Sequence, residues 1–176
     1  MFETDDDLVS LQRLLDLSYE AGGTHLREVI TPERRLSAPE VAAAFTGMRL
    51  LVLATVTRDG RPIAGPVDGI FFRGSFHFGS SPDSIRFRHI RERPAVSATH
   101  LPGEALAVTV HGNAVPVDVG AAEHRAFRET LLAIYVPRYG AEWENFLDAG
   151  ATYARIEAHR MFTFSMPELA EPSIQS

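Results

Sequence analysis

The stretch FFRGSFHFGSSPDSIRFRHIRERP, from Phe71 to Pro94, concentrates the residues able to grip an anion. A strand carrying Phe76 and Phe78 runs into the small-residue turn Gly79-Ser80-Ser81. Pro82 follows where a helix can start, and a short helix then carries Arg86, Arg88 and Arg91. Each part suits a phosphate. Small residues let the backbone approach closely, the first N–H groups of a helix lack intrahelical acceptors, and aligned peptide dipoles favour negative charge there. Ser80, Ser81 and Ser84 add hydroxyl donors, and arginine can hold phosphate through two parallel hydrogen bonds. Asp83 cuts the other way. Placed in the first turn it would satisfy the same dipole, so ordinary helix capping is the competing reading.

Composition narrows the chemistry. The chain of 176 residues has no cysteine, which removes disulfides, thiol nucleophiles, iron–sulfur ligation and cysteine zinc sites. All 17 basic residues are arginine, so a Schiff-base lysine and a Walker-type phosphate loop are both excluded. A net charge of −6 argues against non-specific nucleic-acid binding. Four of the arginines nevertheless fall between Arg86 and Arg93, a basic patch in an acidic protein. No apolar run is long enough to span a membrane, and the acidic start MFETDDD is unlike a secretory signal, so a cytoplasmic location is expected.

The elements that must position this segment follow from periodicity. The first 47 residues read helical: Leu8, Leu11, Leu14, Leu15 and Leu17 recur near the 3.6 period, and Gly22-Gly23 ends that run. Ser37-Ala38-Pro39-Glu40 is a capping box that starts a second helix, with Gly47 past its end. From Leu50 the period becomes two. Leu51, Leu53, Thr55 and Thr57 share one face, Val52, Ala54 and Val56 the other, and two apolar faces predict a strand buried on both sides. Asp59-Gly60 predicts a hairpin. The return strand, Pro62 to Phe72, contains Gly65-Pro66, so it must be bulged or at an edge there. Arg73-Gly74 turns into the strand of Phe76. Further strands are expected over residues 95–101, 105–117 and 152–165, an amphipathic helix over 120–138, and a short helix around Trp143–Leu147. The fold class is mainly β with added helices: a six-stranded antiparallel split barrel with N-terminal helices and short peripheral ones. The expected organisation is a helical extension over 1–47, a cofactor-binding barrel over 48–166 and a loose tail over 167–176.

This order of elements resembles the split barrel of the pyridoxamine 5′-phosphate oxidase-like family, which includes flavin and deazaflavin oxidoreductases. The resemblance is carried by Leu53-Ala54-Thr55-Val56 with Asp59-Gly60-Arg61-Pro62, by Gly65-Pro66-Val67, by Phe76 to Ser81, and by the helix from Ser84-Ile85-Arg86 to Arg93-Pro94. It implies that Ser80, Ser84 and Arg86 hold the terminal phosphate of FMN, with Gly79, Ser81 and Arg88 beside them. It implies also that Gly65, Pro66, Val67 and Asp68 run along the tricyclic ring. By the same resemblance the site lies between two subunits of a homodimer. A deazaflavin cofactor (coenzyme F-420) is the alternative, and a non-catalytic flavin- or haem-binding protein is the alternative of another class. The chain departs from the oxidase itself at Ala64, where that enzyme has a basic residue, and near Ala107, where it has a glutamine. It also lacks an Arg-x-His near its end, so vitamin B6 oxidation is not expected.

Other candidates carry less. The seven histidines lack the close pairing of a helical metal site, and no metal is expected. His77 and His111 merit a test because each lies in a strand near the proposed site. Asp68 can be an acid/base group or simply a polar residue at a strand irregularity. Tyr135, Tyr139 and Trp143 can stack on a ligand or pack a helix pair. No Gly-x-Ser-x-Gly elbow or Ser-His-Asp order supports a hydrolase. No catalytic residue is singled out, because hydride transfer through a flavin needs no side-chain acid.

Overall fold

The computed structural model describes residues 2–166. The tail read as loose, 167–176, lies outside the described residues. Six antiparallel strands close a barrel in the order β1-β2-β3-β6-β5-β4. They are β1 (Met48–Val56), β2 (Pro62–Phe72), β3 (Ser75–Ser80), β4 (Ala95–His100), β5 (Leu106–Val117) and β6 (Thr152–Ser165). The helices are α1 (Asp5–Glu20), α2 (Thr24–Val29), α3 (Ala38–Ala44), α4 (Ile85–Glu92), α5 (Arg125–Tyr139) and α6 (Trp143–Asp148). The antiparallel barrel with peripheral helices expected from the sequence is thus the observed architecture. Among the described residues no helix is long and apolar enough to cross a membrane.

Alternation fills the barrel. Leu51 and Leu53 of β1, Val67 and Phe71 of β2, and Phe76 and Phe78 of β3 all point inward and are buried. The outer face of β1 departs from expectation. Leu50 and Val52 are 59% and 53% exposed, so β1 is buried on one side only. Its apolar outer residues lie beside Thr99 of β4 and Pro66 of β2, and no described helix packs over Val52.

The N-terminal helices share the barrel's core. Leu11 and Leu15 of α1 and Val41 of α3 pack into the same cluster as Leu51 and Phe76. Ser18 fixes the contact. Its buried hydroxyl donates to the Leu14 carbonyl at 2.6 Å and accepts from the Met161 N–H of β6 at 2.9 Å. The capping box at α3 forms as read, with the Ser37 N–H donating to Glu40 at 2.7 Å. Within the stretch read as helical, α2 and a 3-10 turn at Pro32–Arg34 were not delimited as separate elements, since neither buries a residue.

Two features of β2 position the candidate site. Its register with β1 runs unbroken from Met48↔Ile70 to Val56↔Pro62, so there is no bulge at Pro66. Its other neighbour, β3, pairs only with Gly69–Phe72. Residues 62–68 therefore have one open edge, and proline, which has no N–H to offer a ladder, is tolerated at such an edge.

Candidate functional site

Helix α4 faces that open edge. Its N-cap is Ser84, whose hydroxyl accepts from the Phe87 N–H at 3.4 Å. Pro82 and Asp83 lie in the turn ahead of the helix, so Asp83 is outside the first turn and the capping role considered for it falls to Ser84. Phe87 and Ile90 are buried in the main core, which anchors the helix and sets the direction of Arg86.

Arg86 is half-buried and donates through one guanidinium nitrogen to the Pro66 carbonyl at 3.1 Å. Among the described residues it has no carboxylate partner. Burial lowers its pKa, the signature of a charge stripped of part of its water. A Cβ on Gly65 would stand 3.6 Å from the same nitrogen, so a larger side chain there would crowd the arginine.

Two cavities meet at Arg86. One, of about 380 Å³, is bordered by Pro66, Val67, Asp68, Gly79 and Ser80 on the strand side. The other, of about 300 Å³, is bordered by Thr55, Ile63, Ala64, Gly65 and Ser84. Arg86 and seven of the other nine residues singled out from sequence therefore line these two adjoining cavities. Ser81 and Arg88 are exposed and line neither.

An aromatic wall closes the larger of these cavities: Tyr135, Tyr139, Trp143, Phe146 and Tyr153. Tyr135 stacks on Trp143 with ring centres 4.4 Å apart, so the helix-pair packing and the ligand-facing reading of these residues hold together. The Tyr135 hydroxyl donates to an Asp68 carboxylate oxygen at 3.0 Å. Burial first, and then the Asp68 charge, push the Tyr135 and Tyr153 phenols well above the usual range, so both stay protonated. Asp68 is thereby held as a hydrogen-bond acceptor.

Tyr153 and Phe146 were missed in the sequence. Tyr153 sits opposite Gly79 in the β3–β6 register, and a Cβ on Gly79 would come within 2.7 Å of its ring. The available signal was a lone glycine in an aromatic strand, the mark of a close approach. His77 and His111 lie away from Arg86. His111 pairs with the Ser97 hydroxyl at 2.7 Å, and His77 lines a separate cavity. Among the described residues no group of three or more histidine, aspartate or glutamate side chains could hold a metal ion.

The family model described as pyridoxamine 5′-phosphate oxidase matches residues 37–164. The chain belongs to that family. No curated protein matches the sequence. Among solved structures, the conserved protein Rv2991 of Mycobacterium tuberculosis is 21% identical with a TM-score of 0.64, covering 82% of this chain and 94% of its own. A FAD-binding protein of Mesorhizobium loti is 23% identical with a TM-score of 0.54, covering 74% and 93%. HutZ, the haem storage protein of Vibrio cholerae, is 20% identical with a TM-score of 0.56, covering 72% and 93%. These likenesses show the barrel fold. In this member of the pyridoxamine 5′-phosphate oxidase family, the match spans all six strands and the arginine helix α4.

Proposed function

We propose that this chain is a flavin-dependent oxidoreductase that binds FMN at the open edge of β2 and acts on a small substrate. The observation that carries the reading is Arg86: a half-buried guanidinium, without a carboxylate partner among the described residues, with donors left over after its bond to Pro66. A phosphate there would restore the solvation that burial removes. Arg86, Ser80 and Ser84 would hold the phosphate, and the β2 segment Gly65–Asp68 would run along the ring. When bound, the flavin supplies the hydride transfer, and the chain contributes binding, orientation and exclusion of water. The stacked Tyr135 and Trp143 close one side of the cavity, and the Tyr135–Asp68 bond keeps a carboxylate fixed beside it.

The exposed outer face of β1 supports a homodimer. Leu50 and Val52 form an apolar strip next to Pro66, at the border of the larger cavity, where a second subunit could cover both.

The test is a titration of purified protein with FMN, riboflavin, coenzyme F-420 and haemin. FMN should bind at least about tenfold more tightly than riboflavin, the scale of one charge-assisted contact to phosphate. Equal affinity would show that no phosphate is read. Preference for coenzyme F-420 would turn the reading to the deazaflavin, and stoichiometric haemin binding without flavin binding would turn it to a non-catalytic haem protein.

A further inference from the structure

A cavity of about 540 Å³, larger than either beside Arg86, lies on the same outer face of the barrel one step further along each strand. Register shows the relation. His77 pairs with Arg155, and Gly79 with Tyr153. The second pair borders the candidate flavin cavity; the first lines this one. Phe127 forms the partition, its ring 5.7 Å from that of Tyr153 and 4.3 Å from that of His77.

The floor holds an unusual acceptor. His77 is only 5% exposed, and its Nδ1 lies 3.2 Å from the Ser75 carbonyl. A carbonyl only accepts, so Nδ1 carries the hydrogen and Nε2 keeps its lone pair. Among the described residues Nε2 has no partner. Burial pushes the His77 pKa from 6.5 to about 4, so the ring is neutral at neutral pH. His124 also lines this cavity, its Nδ1 donating to the Asp118 carbonyl at 3.0 Å.

The rim carries charges of both signs, and only one of its arginines is without a carboxylate partner among the described residues. Arg155 is paired with Glu157, and the exposed Glu123 also lines the opening. Arg73 has no carboxylate partner among the described residues and lies over the Phe72 ring at 5.7 Å. Its backbone is left-handed (φ 51) ahead of Gly74 (φ 72), in a tight turn that favours asparagine or glycine. Phe72, Phe127, Val115 and Val117 give the cavity apolar walls.

We propose that this cavity binds a hydroxylated aromatic acid, with its ring between the apolar walls, its carboxylate at Arg73 and its hydroxyl donating to Nε2 of His77. The neutral imidazole, an acceptor, excludes an anion from the floor and places the acid at the rim. The site stands independently of the flavin reading, because binding is measured without cofactor.

Calorimetry with 4-hydroxyphenylacetate tests it, with phenylacetate and 4-hydroxyphenylacetamide as analogues. The full ligand should bind saturably at one site, and each analogue about tenfold more weakly, the value of one hydrogen bond or ion contact. His77→Phe should weaken the full ligand about tenfold and leave phenylacetate unchanged. Arg73→Asn should weaken it similarly and leave the amide unchanged, in a protein that folds at least as well because asparagine suits the turn. Should His77→Phe fail to fold, Arg73→Asn with the amide decides alone. No saturable binding up to about 10 mM, or equal binding of all three ligands, overturns the proposal.

Discussion

The Arg86 guanidinium reaches across the open edge of β2 and donates to the Pro66 carbonyl at 3.1 Å. This contact joins two elements with no shared ladder, since β2 at this point pairs only with β1, through Val52↔Pro66. One donor of the arginine thus serves the fold and fixes the fork, and the others are left for a ligand. The strand edge and the helix meet at the junction of two cavities, which is where a long cofactor with a charged end would need its anchor.

Replacing Arg86 by alanine should weaken FMN binding by about 1.5–3 kcal/mol, the range of hydrogen bonds to charged groups. Riboflavin affinity should change far less. Trp143, the single tryptophan of the chain, lines the larger cavity, so quenching of its fluorescence reports the titration directly. Unchanged FMN affinity in the variant would place the phosphate elsewhere.

The strands' places along the chain, the Asp59-Gly60 hairpin and the α3 capping box were legible because each rests on local chemistry: period two, a positive φ at Gly60, a reciprocal Ser37–Glu40 bond. Pro66 was legible as an irregularity, and the structure resolves it as an edge without a bulge. That changes what the proline does: with the β1 ladder already continuous, its role is to leave the far edge bare. The outer face of β1 was misread because an apolar row looks the same whether the chain's own core or a partner covers it. Tyr153 was invisible for another reason. Its neighbour Gly79 is 74 positions away in sequence, and only the β3–β6 register brings them together.

Tyr135→Phe removes the hydroxyl that donates to Asp68 at 3.0 Å and keeps the stack on Trp143. A hydrogen bond to a carboxylate is worth about 1.5–3 kcal/mol, less here because Asp68 is half-exposed and water can replace the donor. The expected loss is about 1 kcal/mol of stability, read as a fall of roughly 2–4 °C in melting temperature. A variant as stable as the parent would show that the bond positions Asp68 without holding the fold.

If β1 presents a subunit interface, charge on its outer face should dissolve it. Val52→Lys puts an ammonium on a site that is 53% exposed in the single chain, where the fold itself tolerates it. Sedimentation should give a dimer for the parent protein and a monomer for the variant at the same concentration, because an unpaired charge buried in an interface costs several kcal/mol. FMN affinity should fall alongside. A monomeric parent protein would remove the interface altogether.

His77 makes stability depend on pH. Its folded pKa, about 4, lies below the ordinary value of 6.5, chiefly through burial, with the positive Arg155 and His124 adding to the effect and the Ser75 carbonyl opposing it. Arg73 and Glu123 are the other charged groups lining the same cavity. Between these pKa values the unfolded chain binds a proton that the folded chain refuses, so stability rises with pH across the window. The contribution is fully present above about pH 6.5, falls by about 1.4 kcal/mol per pH unit on acidification, and levels off below about pH 4. The informative quantity is the difference between the parent and a variant that lacks this imidazole. Urea unfolding of the parent and of His77→Phe, compared from pH 7 to pH 4, should show the shallower slope in the variant. Parallel slopes would mean that the imidazole takes up its proton as readily in the folded as in the unfolded chain, so that burial does not hold its pKa down.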